Sequence, residues 1–291
     1  MKSIMFAVTV VLILPLYSCS LPTDKTPVFQ TQPRKIAAGF KFAEGPAADK
    51  NGNIYFTDIL NNRIHKWSTS GKLSVFVENT HMSNGLYFDH NGNLIACAGG
   101  AGKLLSIDPK GNVTTLADNF EGKPFNSPND LWIDPKGGIY FTDPRYFGGR
   151  ENLPQPGEYV YYISPNGKEI KRVIDDLVRP NGLAGTPDGK ILYVADQGGN
   201  KTWVYRINSD ATVTDKKLFA DQTCDGMTID ECGNVYLTIK GVNIYSPSGK
   251  LLKSIDLPKS TTNVCFSGTN NRTLFITTRN ALYSMKIASF D

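Results

Sequence analysis

Apolar runs of about five residues, separated by polar turns containing Gly, recur along most of the chain. NIYFTD (Asn53–Asp58), NLIACA (Asn93–Ala98), GIYFTD (Gly138–Asp143), KILYVAD (Lys190–Asp196) and NVYLTI (Asn234–Ile239) are the clearest. Their length, their β-branched and aromatic content and their Gly boundaries predict strands rather than helices. Each is preceded by a shorter apolar segment that opens on a polar residue. Two weaker strands around a Ser-Gly turn follow it, as in NRIHKWSTSGKLSVFV (Asn62–Val77) and VNIYSPSGKLLKSIDL (Val242–Leu257).

This four-strand frame recurs six times, opening at Glu44, Asn84, Asn129, Asn181, Asp225 and Asn263. Six copies of four short strands at intervals of 38 to 52 residues predict an all-β chain folded as a six-bladed β-propeller over residues 34–291. The strand RKIAAGFKF (Arg34–Phe42) is expected to pair with the last blade and close the ring, removing an exposed sheet edge.

Composition adds limits to this picture. At 291 residues and 40% hydrophobic the chain can bury a large core. A net charge of +4, with no Lys/Arg run of five and no basic-aromatic interleaving, gives no support for nucleic-acid binding. The three His residues lack metal-ligand spacing, and no G-x-S-x-G or H-E-x-x-H is present. The D-x-N-G-N turns at Asp49 and Asp89 lack the Glu of a calcium loop and are read as hairpin turns. Cys97, Cys224, Cys232 and Cys265 show no paired or zinc spacing and are expected as free thiols.

The N-terminus has a different character. Lys2 precedes an apolar run from Ile4 to Leu16, and the run ends in LYSC, which resembles a bacterial lipobox. The expectation is a signal peptide over residues 1–18 and lipidation at Cys19. A polar tether over residues 19–33 would follow, in an exported lipoprotein of a bacterial envelope, with the lipid as its sole membrane contact. The protein is expected as a monomer.

In a propeller the first strand of each blade lines the axis, so the six frame-opening residues should meet there. Two carboxylates and four amides around one axis suit a hard divalent cation, calcium above all, with Mg2+, Mn2+ or Zn2+ as alternatives. Turn chemistry at Asn-Gly and Asp-Gly, with buried water satisfying the polar groups, is the competing account.

The motifs AEGP around Glu44, FNSPND around Asn129, RPNG around Asn181 and CDGM around Asp225 resemble, in order and spacing, those of the SMP-30/gluconolactonase/LRE-like family of six-bladed propellers. The resemblance covers residues 42–287. It implies Glu44, Asn181 and Asp225 as ligands of a central metal site, with Asn129 as a further ligand or a substrate contact. It also implies hydrolysis of a sugar lactone, the cation polarising the carbonyl while water attacks. Asp225 is the candidate base, and whether it or the cation activates the water stays open. Arg145 and Tyr146, in the longest insertion, and His81 and Asn84 are candidate substrate contacts on the same face. Other lactones, esters or phosphotriesters are alternative substrates, and a non-catalytic sugar- or protein-binding propeller is the alternative class.

Overall fold

The computed structural model describes residues 24–146, 149–257, 260–268 and 271–291, and the expected signal peptide and Cys19 lie outside them. Six antiparallel sheets, five of four strands and the last of five, stand around one axis, as the periodicity predicts. In the first blade the strands are Ala43–Ala48, Ile54–Asp58, Arg63–Trp67 and Leu73–Glu78, running from axis to rim. The innermost strands of the other blades are Ser83–Phe88, Leu131–Ile133, Pro180–Gly185, Met227–Ile229 and Thr261–Ser267.

The strand pattern follows from burial on both faces. Ile54 and Phe56 pack with Leu282 of the last blade, whereas Tyr55 between them packs with Leu86 and Leu105 of the second. Similar clusters fill every other junction between neighbouring blades, so each blade contributes to two cores. A strand buried on both sides needs a continuous apolar run, which is why IYF and LYV replace simple alternation.

The ring closes through the N-terminal part of the chain. Arg34–Ala38 pairs antiparallel with Ala281–Phe290, with Arg34 opposite Ser284 and Ala38 opposite Ala281. The tether expected up to residue 33 is shorter than the sequence suggests. Pro27–Phe29 also pairs with Ala281–Phe290, Pro27 lying opposite Phe290, and Thr26 and Asp291 exchange two backbone hydrogen bonds. The ten-residue final strand is long enough to hold both segments, so its edge is covered along most of its length.

The hairpin turns behave as expected. Asp49 Oδ1 accepts from the N–H groups of Asn51 and Asn53 at 2.9 Å each, and Gly52 takes φ 85°. The same capping recurs at Asp89, Asp108, Asp134 and Asp230. These carboxylates turn inward onto backbone donors. The four cysteines of the described residues are free thiols.

Deleting residues 24–38 should uncover the edge of Ala281–Phe290 and prevent cooperative folding. Thermal melts followed by circular dichroism would read this as loss of a sharp transition, and a wild-type-like melt would contradict the closure.

Candidate active site on the propeller axis

The six inner strands converge so closely that side chains do not fit at several positions. A Cβ on Gly45 would lie 2.3 Å from the Asn84 carbonyl oxygen, and one on Gly182 would lie 2.6 Å from that of Asp225. Glycine in the Glu44-Gly, Asn84-Gly and Asn181-Gly pairs is therefore required by neighbouring backbone, and in Asp225-Gly by the Asn263 side chain, beyond any turn preference. Two copies break the rule, with Asp130 and Val264 at that place. The space left by Gly85 is taken by Asp130, whose Oδ1 would be 2.3 Å from a Cβ there. The Asn263 side chain fills the corresponding space beside Gly226. Asn263 Nδ2 then donates to Asp130 Oδ2 at 3.2 Å, across the axis.

Behind this ring, threonines of the second strands tie the blades together. Thr57 Oγ1 reaches the carbonyls of Glu44, at 3.0 Å, and Asn84, at 3.1 Å. Thr238 Oγ1 does the same for Gly226 and Thr262, at 2.8 Å each. The Thr in YFTD and YLTI thus fixes where the axial residues stand.

The frame-opening residues do meet. Glu44, Asn129, Asn181 and Asn263 are buried, while Asn84 and Asp225 are half-buried. Asn181 Nδ2 donates to Asp225 Oδ1 at 2.9 Å. The Glu44 carboxylate accepts from the N–H of Gly45, and the Asn129 side chain makes no hydrogen bond among the described residues. Burial pushes the Glu44 carboxyl well above the usual range, and the charges of Asp225 and Asp130 push it further. Burial likewise raises Asp225 to about 6 and Asp130 to about 7. No Lys, Arg or His forms an ion pair with any of the three among the described residues.

Three buried carboxylates without a cationic side chain form a costly arrangement that a divalent cation would relieve. No three His, Cys, Asp or Glu side chains among the described residues group tightly enough to hold a metal by themselves. A cation here would need the mixed set of Glu44, Asp225 and the Asn129 and Asn181 amides. Oxygen donors of this kind fit a hard ion. Asp130 is the axial residue that sequence reasoning missed, and its signal was the Asp standing where other copies carry Gly.

The remaining candidates separate by place. Tyr146 comes to the axis, its hydroxyl buried beside Asn181 and Asp225 without closing a well-formed hydrogen bond. Arg145 is partly spent on the loop, its Nη1 donating to the Asn126 carbonyl at 3.2 Å. It lines a pocket of about 240 Å3 with Phe125 and Pro154. His81 is exposed on the rim, in a left-handed conformation at φ 54°. The Asn84 side chain makes no hydrogen bond among the described residues, its carbonyl being the group that is bonded. Asp58 and Asp143 cap loops: Asp58 Oδ1 accepts from Lys41 and Phe42, and Asp143 from Asn126 and Ser127. A larger cavity, about 740 Å3, opens at the hairpin-turn mouth, and Asp130 and Asn263 stand among its walls. Size alone would put a ligand there, but the buried polar atoms left unpaired at Tyr146, Arg179 and Gln197 face the other mouth.

Comparison with known proteins agrees with the fold. Residues 42–280 match the SMP-30/Gluconolactonase/LRE-like region. A gluconolactonase of Zymomonas mobilis is 32% identical over 292 residues, covering 88% of this chain and 81% of that protein. The solved structure of a gluconolactonase from Xanthomonas campestris superposes with a TM-score of 0.84 at 26% identity, covering 91% of this chain and 95% of that one. A calcium-binding protein, regucalcin, from Agrobacterium tumefaciens shares the fold, with a TM-score of 0.73 at 18% identity and coverage of 91% and 94%.

The raised carboxyls set a pH dependence for the cation-free protein. In the window between their ordinary and folded values, the folded state holds more protons than the unfolded one, so stability falls as pH rises. With Asp130 moving from 3.8 to about 7 and Asp225 from 3.8 to about 6, the fall should run from about pH 4 to pH 7. Melts in chelator should show it, and Asp130→Asn should raise Tm at pH 8 by about 2–4 °C per kcal/mol relieved. At pH 4 the variant should match wild type. A flat wild-type profile would exclude this charge crowding.

Proposed function

Since the chain belongs to the SMP-30/gluconolactonase/LRE-like family, we propose that it is a gluconolactonase-like enzyme that opens sugar lactones with the help of one divalent cation, calcium by donor chemistry. The observation that carries the reading is the set of buried axial carboxylates that no basic side chain neutralises. Glu44, Asn181, Asp225 and Asn129 would hold the ion. When bound, it supplies Lewis acidity at the lactone carbonyl.

The chain's own residues do the rest. Asp225 takes the proton from the attacking water. The Asn181 amide, donating to Asp225 Oδ1 at 2.9 Å, fixes its orientation toward the water. Burial raises the Tyr146 hydroxyl, which therefore stays protonated at neutral pH and donates a hydrogen bond to the substrate. Arg145, in the pocket beside it, and Asn84 and His81 across the mouth contact the sugar. The Asp130–Asn263 pair closes the axis behind the reacting carbonyl. Thr57 and Thr238 hold the inner strands, so the site needs little reorganisation on binding.

On chelated protein, hydrolysis of glucono-1,5-lactone above the spontaneous rate should vanish and return with added Ca2+, Mg2+, Mn2+ or Zn2+. Asp225→Ala should lower kcat by about 10²–10⁴-fold, and Glu44→Gln should weaken cation binding measured by calorimetry. Cation binding without lactone opening would refute the substrate, and absence of binding would refute the metal.

The export expectation is carried forward as part of the same proposal, with lipid on Cys19. Its support is the apolar run ending in LYSC and the approach of the first described residues. Asn234 Nδ2 donates to the Lys25 carbonyl at 2.9 Å, and Asp24 lies 3.7 Å from Lys250. Both partners belong to hairpin turns on the mouth away from Tyr146. An anchor there would leave the site facing outward. Cys19→Ser should move the protein from the membrane to the soluble fraction and abolish labelling by fatty acid, and an unchanged distribution would remove the anchor.

A further inference from the structure

Arg179 stands two residues before Asn181, in the loop entering the fourth blade, with φ 60°. A left-handed conformation at a residue other than Gly is costly and persists where surroundings enforce it. The surroundings here do so. Gln197 N–H donates to the Arg179 carbonyl at 3.2 Å, and Gly198 N–H to that of Val178 at 2.7 Å. Val178 N–H is in turn held by Asp196 Oδ1 at 2.9 Å.

This backbone carries the guanidinium over the Tyr146 ring, 5.5 Å from its centroid. The Tyr146 hydroxyl lies beside Asn181 and Asp225, so the guanidinium forms part of the wall of the axial site. It has no carboxylate partner among the described residues, whereas Arg150, in the neighbouring insertion, is paired with Glu158. Arg179 Nε is buried without a hydrogen-bond partner, and so are Tyr146 Oη and Gln197 Oε1. Two donors and an acceptor are thus left unpaired on one side of the mouth. Unmet polar atoms at that density are expensive unless a ligand meets them.

We propose that Arg179 is a specificity-determining residue, whose guanidinium, held on the Tyr146 ring, donates to hydroxyl oxygens of a polyhydroxylated lactone. The proposal rests on the lactonase reading above. Its chemistry calls for Arg rather than Lys, because a planar fork can stack on the ring and still offer several N–H groups at fixed angles. Gln197, anchored by the same loop, supplies an acceptor for the same set of hydroxyls.

The test compares glucono-1,5-lactone with δ-valerolactone, which has the ester but no hydroxyl groups, for wild type, Arg179→Ala and Arg179→Lys. A hydrogen bond to a charged donor is worth roughly 1.5–3 kcal/mol. Arg179→Ala should accordingly raise KM for glucono-1,5-lactone by about 10–100-fold with kcat within about threefold, and cost δ-valerolactone hydrolysis much less, so that the ratio of the two kcat/KM values shifts by about tenfold or more. Arg179→Lys, which keeps the charge and spares the fold, should recover only part of the loss. Calorimetric cation affinity should match wild type in both variants. Equal losses on the two lactones, a fall in kcat at constant KM, or no change on either would overturn the proposal. If wild type opens only glucono-1,5-lactone, the KM-against-kcat split on that substrate decides. If wild type binds the cation and opens neither lactone, the lactonase reading fails first and takes this inference with it. Wild-type turnover matched by both variants defeats this inference alone.

Discussion

The whole molecule depends on how closely six inner strands approach one axis. At Gly45, Gly85, Gly182 and Gly226 the neighbouring blade comes so near that a single added carbon would sit under 3 Å from its atoms. That approach determines what can occupy the axis. Backbone fills most of it, and the side chains that remain are those at the opening of each strand, which point into the mouth. A blade need only begin on an oxygen-bearing residue for that oxygen to be delivered to the centre. The catalytic geometry is therefore a by-product of ring closure, and the six interblade cores and the Ala281–Phe290 pairings stabilise the site as much as the fold.

The burial that delivers these groups also sets their chemistry. Glu44 and Asp130 are buried and Asp225 half-buried, none paired with a basic side chain among the described residues, and all three carboxyls are pushed up. In water such a cluster would ionise at about pH 4; here burial and mutual repulsion oppose ionisation until higher pH, a cost that a bound cation would offset. The Asn residues in the same ring offer oxygen without adding charge. The two acids of the candidate ligand set, Glu44 and Asp225, carry no more charge than one divalent ion would offset.

Much of this was legible in the sequence, because it repeats. Strand length, turn chemistry and the six frame openings are local signals, and they located the propeller together with Glu44, Asn129, Asn181 and Asp225. The hidden features depend on contacts between segments remote in sequence. Asp130 was visible as a departure from Gly, but its partner Asn263 lies 133 positions away. Pro27–Phe29 is too short and too mixed to read as a strand, and only the long final strand gives it a partner. Arg179 opens the RPNG motif, but nothing local marks its role, since its left-handed backbone is held by Gln197 and Gly198 from the next strand turn.

The two exceptions to the axial glycine rule explain why the channel is asymmetric. Six glycines would leave an open tube from one mouth to the other, with the large cavity on the hairpin-turn side continuous with the reacting centre. Asp130 and Asn263 occupy the spaces that Gly85 and Gly226 leave, and bond to each other between them. A pair of side chains in this place must be polar, because it stands between the carboxylate cluster and the large cavity. It must also avoid two full charges, and an acid paired with an amide meets both conditions. The Asp130 charge in this pair also raises the electrostatic cost of the cation-free centre, pushing up the Glu44 carboxyl across the axis.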